Sequence, residues 1–242
     1  MNKTLIALSG GVDSAAAALL LQRQGHVCAG AMMRLFPGNE NAENDARAVA
    51  EKLDMPFHLL DCAVEFQQRV ITPFVSAYLD GITPNPCVSC NRHIKFGAFM
   101  QKAQELGYSH IATGHYARVE RDGQRTLLKT GLDATKDQSY VLYTLTQQQL
   151  AHVLFPLGDL TKTQARELVS ARNLVSADKK ESQDICFVPD GDYAEYILSS
   201  KFRVLRRYVS PWNSELGTIE LDPLRGLLGG GVGGLHLFGG RP

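Results

Sequence analysis

Two short stretches hold side chains whose types and spacing suit chemistry. In TPNPCVSCNRHIKFG (Thr83 to Gly97), Cys87 and Cys90 stand three positions apart between a proline-rich approach and a basic, helix-forming exit. Such a pair reads as half of a metal site, a redox couple, or one reactive thiol with a bystander. In ALSGGVDS (Ala7 to Ser14), the run Ser9, Gly10, Gly11, Val12, Asp13 and Ser14 lies between an apolar strand candidate and a helix. Adjacent glycines let the backbone turn sharply, and open amides at a helix start together with serine hydroxyls favour an oxyanion. The pattern is a phosphate cradle. It lacks the Gly-Lys-Ser/Thr of the Walker loop and the spaced glycines of a dinucleotide fingerprint, and its plainer alternative is a glycine turn opening a helix. A third distinctive cysteine, Cys186, stands in KKESQDICFVPDGDY, whereas Cys28 and Cys62 lie in strand candidates and read as small buried hydrophobes.

The elements that must position these groups alternate in type. TLIALS (Thr4 to Ser9) reads as a buried strand, SAAAALLLQRQG as a helix ending at Gly25, and HVCAGAMMRLF (His26 to Phe36) as a second strand. NDARAVAEKLD (Asn44 to Asp54) reads as a helix and PFHLLDC (Pro56 to Cys62) as a third strand. An amphipathic helix over Asn91 to Gly107 then precedes HIATGHY (His110 to Tyr116), a strand opening into a glycine turn. This alternation predicts an α/β fold, a parallel sheet covered by helices, over residues 1–135. Residues 136–198 read as a helix-rich central region, with helix-like spacing in DQSYVLYTLTQQQLAHVLF and a capping box at Thr161 and Gln164. The tail, 199–242, has eight glycines between 226 and 242 and reads as divergent or truncated, without a packed element.

The 242 residues suffice for a sizeable core, and no apolar run is long enough to span a bilayer. Five cysteines without dense regular spacing suit a reducing compartment, so a cytoplasmic location with no membrane partner is expected. With 25 basic and 25 acidic residues, any polyanion partner must be held by a local basic patch.

The SGGVDS loop resembles the pyrophosphate (PP) loop of the ATP pyrophosphatases, whose fold is adenine nucleotide alpha hydrolase-like. That resemblance implies ATP, adenylation of a carbonyl oxygen, and Mg2+ held with the help of Asp13. The segments SGGVDS, TPNPCVSCNRHIKF, ATGHYAR, GLDATKDQSYVLYTLTQ, LFPLGDLTK and KKESQDICF, taken in order over about residues 3 to 197, are similar to one family, the bacterial and mitochondrial tRNA-specific 2-thiouridylases. The family resemblance implies that the C2 oxygen of the tRNA wobble uridine is adenylated and replaced by sulfur. Cys186 would carry a persulfide received from a sulfur-relay donor protein, and Cys90 would release the product by forming a disulfide with Cys186. Ala7, Leu8, Ser9, Gly10, Gly11, Val12, Asp13, Ser14, Met33 and Gly114 would hold ATP. Asn85, Pro86 and Cys87 would line the flipped-out uridine, and His115, Lys136, Asp137 and Gln138 would meet the tRNA. His115 reads equally well as a satisfied structural histidine. Arg92, Lys95, Arg118, Lys162, Arg166, Lys179 and Lys180 are candidates for tRNA phosphate contacts or plain surface charges.

Two departures from the family pattern leave alternatives open. Many relatives have aspartate where Cys87 stands, so Cys87, Cys90 and Cys186 are also possible ligands of an iron–sulfur cluster that would bind sulfide at its open iron. A structural zinc is a third reading, weakened by the absence of a second CxxC or a histidine pair. Relatives also continue into a small β-barrel after the central region, and this chain's resemblance ends near DYAEYI. The alternative to a working thiouridylase is therefore a truncated, weakly active or inactive remnant that binds ATP or tRNA, or another PP-loop thiolase using an iron–sulfur cluster.

Overall fold

The structure, a computed structural model, describes residues 3–38, 40–174, 185–188 and 191–208. The expectation for the glycine-rich tail lies outside the described residues, as do Lys179 and Lys180.

Elements follow in the order β1 (Lys3–Ala7), α1 (Val12–Arg23), β2 (Val27–Arg34), α2 (Glu40–Lys52) and β3 (Phe57–Asp61). α3 (Ala63–Phe66), a π segment (Gln67–Ile71) and α4 (Thr72–Leu79) come next, then α5 (Pro86–Cys90), a second π segment (Asn91–Ala98) and α6 (Phe99–Glu105). β4 (His110–Ala112), β5 (Ala117–Asp122), β6 (Arg125–Thr130), a 3-10 turn (Ser139–Val141), α7 (Gln147–Leu150), β7 (Val153–Leu154), α8 (Lys162–Ser170) and α9 (Tyr193–Tyr208) complete the described chain. One compact unit comprises Met1–Pro73 with Asn85–Glu181, and a second comprises Phe74–Pro84 with Ser182–Pro242. The boundary expected near residue 198 falls inside α9.

In the first unit the sheet order is β3-β2-β1-β4-β7, every pairing parallel. Its strands are buried on both faces, because side chains alternate: Ile6 joins an apolar cluster with Ala15 to Leu19, Val49, Leu157 and Val169, while Leu5 joins another with Phe96, Phe99, Ile111 and Phe155. β1 is flanked by β2 on one side and β4 on the other, so the strand order reverses there. Loops leaving the carboxyl ends of the two strands beside such a reversal form the crevice where open α/β sheets bind ligands. The β1 to α1 loop is the SGGVDS segment.

Two differences from the sequence expectation have local causes. DQSYVLYTLTQQQLAHVLF is not helical throughout; it forms the 3-10 turn, α7 and the edge strand β7. Asp137 turns the chain by accepting from Gly131 N (2.8 Å) and Ser139 Oγ (2.7 Å). Gln147 commits both ends of its amide to the backbone of Thr126, at 2.8 and 2.9 Å. The second difference is the antiparallel hairpin of β5 and β6, whose turn starts at Asp122-Gly123, with Gly123 at φ 59°. By contrast, the capping box of α8 forms as read: Thr161 Oγ1 accepts from Gln164 N and the Gln164 side chain accepts from Thr161 N.

Candidate functional site

The phosphate loop is shaped by its glycines and serines. Gly10 has φ 71°, and a Cβ there would lie 2.9 Å from the carbonyl oxygen of Ala42 and 2.9 Å from Asp45 Cβ. A side chain at this position is strained and blocked by backbone. Ser14 Oγ accepts from Ser9 N (3.1 Å), donates to Gly11 O (3.1 Å) and lies 3.2 Å from Ser9 Oγ, closing the loop on itself. α1 starts behind it with no side-chain cap. Its first amides therefore open toward the loop, where the helix dipole favours negative charge. Ala7 and Leu8 lead into the loop, and Leu8 N donates to Ala31 O at 2.8 Å. Met33 stands near the carboxyl end of β2, paired in register with Leu60.

Gly114 follows β4 and packs directly on the loop. A Cβ on it would lie 2.8 Å from the carbonyl carbon of Asp13 and 2.9 Å from Ser14 N. The segments after β1 and β4 thus touch backbone to backbone at the strand-order reversal.

Asp13 is the meeting point of segments far apart in sequence. Lys162, the first residue of α8, sets its Nζ 2.7 Å from Asp13 Oδ1 and 2.8 Å from Oδ2. The Tyr116 hydroxyl donates to Asp13 Oδ1 at 2.8 Å. Tyr116 is held in turn by Gln138: Tyr116 N donates to Gln138 Oε1 (3.0 Å) and Gln138 N donates to Tyr116 O (2.9 Å). Lys162 N donates to Asp133 Oδ2 (3.1 Å), and Asp133 also accepts from Thr135 Oγ1 (2.6 Å). The Thr135 hydroxyl and the Lys162 amide hold the Asp133 carboxyl below its ordinary range. For Asp137, burial pushes the pKa up, but the bonds from Ser139 and Gly131 outweigh it and the net shift is downward. Lys136 N donates to Asp133 O at 3.0 Å. SGGVDS, GHY, DATKDQ and LTK are therefore one hydrogen-bonded assembly. The sequence singles out neither Tyr116 nor Asp133, and it offers Lys162 only as a contact for tRNA phosphate or a plain surface charge. The tyrosine beside His115 was the available signal.

His115 is buried, its Nδ1 2.7 Å from Thr113 Oγ1 and its ring against those of Phe96 and Phe155. Burial, then the Lys95 charge, drives its pKa well below the usual 6.5. A histidine neutral in the fold but free to protonate when unfolded adds stability that is complete above about pH 6.5 and is lost as pH falls toward its folded pKa. His93 and His110 are shifted in the same direction, again mainly by burial. Unfolding free energy is expected to fall between pH 7 and 5, and His115→Asn to shallow the slope by up to about 1.4 kcal/mol per pH unit. Denaturant titrations across that range check this; an unchanged slope overturns it.

The CxxC pair sits on α5. Asn85 caps it, its side chain accepting from Cys87 N at 3.0 Å, and Pro86 takes the first position, where no amide hydrogen is needed. Cys87 is exposed and Cys90 buried, at 8% exposure. Ser89 Oγ ties the turn to Arg69 O at 2.7 Å. Directly after Cys90, buried Asn91 donates to Val141 O at 3.1 Å, while its Oδ1 has no partner, and the helix enters its π segment. Single π turns are frequent at functional sites. Cys186 is exposed and belongs to the second unit, where Phe187 stacks edge-on against Phe74. Cys28 and Cys62 have thiol pKa values pushed up to about 11 by burial, which keeps them unreactive. Among the described residues no three His, Cys, Asp or Glu side chains are grouped as metal ligands. No helix among the described residues is long and apolar enough to cross a membrane.

Residues 2–190 match the model of the tRNA methyl transferase HUP domain. The chain is 49% identical to a tRNA-specific 2-thiouridylase MnmA from Moorella thermoacetica, over 81% of this chain and 58% of that protein. It is 44% identical to the protein of that name from Clostridium botulinum, over 83% and 59%. With that of Chloroflexus aggregans it shares 45% identity, over 100% of this chain and 71% of the relative. The chain thus spans 58% and 59% of the lengths of the first two of these relatives. Among solved structures, a predicted subunit of tRNA methyltransferase from Methanocaldococcus jannaschii aligns with a TM-score of 0.47 at 16% identity, over 84% of this chain and 89% of that one.

Proposed function

Because this chain belongs to the tRNA methyl transferase HUP domain family, together with the tRNA-specific 2-thiouridylases, we propose that it catalyses ATP-dependent 2-thiolation of the wobble uridine of tRNA. The observation that carries this reading is the convergence on Asp13 of two segments distant in sequence, through Tyr116 and Lys162, beside an uncapped helix start and a loop that excludes side chains at Gly10. A polyphosphate is the ligand such a loop accepts. Ala7 to Ser14 would bind the phosphates, with Met33 and Gly114 toward the adenosine.

The residues also fit Mg2+, which is commonly held by one or two carboxylates plus substrate phosphates. Asp13 would hold it, and the ion would neutralise phosphate charge as the C2 oxygen attacks. Adenylation converts that oxygen into the leaving group AMP. The terminal sulfur of a Cys186 persulfide then attacks C2, and AMP departs. The Cys90 thiolate attacks the Cys186 sulfur, the S–S bond breaks, its electron pair stays on the uridine sulfur, and a Cys90–Cys186 disulfide remains. A thiol reductant must supply two electrons before the next turnover.

Asn85, Pro86 and Cys87 would meet the extruded uridine. Lys136, Asp137 and Gln138 would face the tRNA, with His115 acting from beneath through its packing. The remaining partner is a persulfide donor protein, and such a substrate implies a cytoplasmic setting.

The test is incubation of the purified chain with ATP, Mg2+, a persulfide source and unmodified tRNA, with 2-thiouridine read by mobility in a mercury-containing gel. A retarded tRNA band that requires ATP supports the reading. ATP binding without 2-thiouridine would instead favour a nucleotide-binding remnant.

A further inference from the structure

At the amino ends of β4 and β7, the opposite end of the strands from the phosphate loop, two histidines stand side by side. β4 and β7 pair in parallel with Ile111 facing Val153. His110 and His152, one position earlier in each strand, are therefore neighbours, with ring centroids 5.8 Å apart and planes at 53°. Ser109 holds both rings. His152 Nδ1 lies 3.0 Å from Ser109 O, and a carbonyl only accepts, so this nitrogen carries the ring proton. The Ser109 hydroxyl donates its single proton to Lys3 O at 3.2 Å, so toward His110 Nδ1, 3.0 Å away, its oxygen can only accept. His110 is thus protonated on Nδ1 as well. Each neutral ring keeps its lone pair on Nε2, for which no hydrogen bond is formed among the described residues.

That arrangement matches the outer layer of a metal site. A histidine ligand commonly gives its second ring nitrogen to a carbonyl or similar acceptor, which fixes the tautomer and aims the other nitrogen. Zinc holds imidazole nitrogen at about 2.0 to 2.1 Å, and a tetrahedral angle then sets two ring centres about 5 Å apart. The spacing of 5.8 Å lies within about 1 Å of this, a difference that two half-buried side chains can close by small rotations. The charges that act on the His110 ring come from His152, His26 and Arg121. Two imidazoles suit a borderline ion such as Zn2+, Ni2+ or Cu2+, whereas Mg2+ and Ca2+ favour oxygen ligands. The position has a structural use too. β7 has only two residues, and the bonds that join it to β4 include Ile111 N to His152 O (3.0 Å) and Thr113 N to Leu154 O (3.3 Å).

We propose that His110 and His152 form a two-histidine site for a divalent transition-metal ion of the Zn2+ class, bound through both Nε2 atoms with water completing its shell. The ion staples the short edge strand β7 to β4. With two protein ligands the site is one of moderate affinity. It is separate from the Asp13 carboxylate, and the nucleotide reading can fail without touching it.

The test is calorimetric titration of the untagged full chain with Zn2+, alongside melting curves. Exposed thiols are first blocked with iodoacetamide, since Cys87 and Cys186 are exposed and thiolates also take Zn2+. One Zn2+ per chain is expected, with a rise in melting temperature because the folded state alone presents the pair. His110→Gln and His152→Gln are each expected to weaken Zn2+ by about 10-fold or more and to remove that rise. Ser109→Ala keeps both imidazoles but takes the acceptor from His110, and is expected to weaken the ion by about 10-fold. Nitrogen-15 spectra of the seven histidines in the parent need no variant. Two of them are expected in the Nδ1–H tautomer, with Nε2 resonances that shift as Zn2+ is added. A parent that takes up no Zn2+ overturns the proposal, as does an affinity unchanged in both histidine variants. Should those variants fail to fold, the parent's spectra decide: Nε2 resonances of His110 and His152 that ignore Zn2+ overturn it.

Discussion

Gly114→Ala is expected to weaken ATP binding by about 100-fold while the sheet stays folded. The added methyl would stand 2.8 Å from the Asp13 carbonyl carbon and 2.9 Å from both Ser14 N and Asp13 Cβ. Two of those atoms are backbone, so no side-chain rotation relieves the clash. The phosphate loop must instead retreat from β4, taking the first amides of α1 and the Asp13 carboxylate with it, and small misplacements of such groups are costly to binding and rate. Gly107→Ala supplies the control. It has φ 82° with nothing within 4 Å of an added Cβ, so strain lowers stability there without reaching the loop. Isothermal titration with ATP, paired with melting curves, separates the two. An alanine at 114 that binds ATP like the parent would show that the contact between the segments after β1 and β4 is not what holds the loop in shape.

The second large effect concerns the cysteines. In a chain that thiolates tRNA, Cys186→Ser and Cys90→Ser are each expected to lower 2-thiouridine formation by about three orders of magnitude or more, with ATP affinity unchanged. They should fail differently. Without Cys186 no sulfur is carried. Without Cys90 the sulfur reaches C2 but cannot be released, so a covalent tRNA–protein species should accumulate and dissolve on adding dithiothreitol. Gel analysis with and without that thiol reads the difference directly. Cys87 is exposed, and the family resemblance implies aspartate as an alternative at its position, so Cys87→Asp is expected to retain activity. If Cys87→Asp is inactive and Cys90→Ser active, the two thiols of the CxxC have exchanged roles and the assignment fails.

What could be read from the sequence was what local pattern determines. β1, α1, β2 and β3 follow from apolar runs and helix formers bounded by turn residues, and they fall within a few residues of their expected limits. The phosphate loop was legible because two glycines and two serines between a strand and a helix have few other uses. Lys162 was not, because its importance depends on a partner 149 positions away and nothing local separates it from a solvated lysine. The stretch from Asp137 to Phe155 misled for a related reason. Its apolar spacing suits a helix, yet the side chains of Asp137 and Gln147 bond backbone elsewhere, and such tertiary bonds override propensity. The hairpin of β5 and β6 carried a usable signal in Asp122-Gly123, masked by its charged strands.

The π segment after Cys90 has a bearing on how neighbouring sequences should be aligned. Each residue of an α-helix advances the wheel by about 100°, so the apolar stripe of Phe96, Phe99, Met100 and Ala103 would ordinarily fix the azimuth of every position upstream. Eight residues in i to i+5 register break that phase, and Gly97 accommodates it, an added Cβ there lying 3.2 Å from the Arg92 carbonyl oxygen. The cysteine turn and the buried stripe are thereby angularly decoupled. A homologue with one residue fewer between Cys90 and Phe99 would regain a regular helix and turn its thiol to a different bearing, so a single gap in this stretch marks a change in chemistry rather than a neutral length variation.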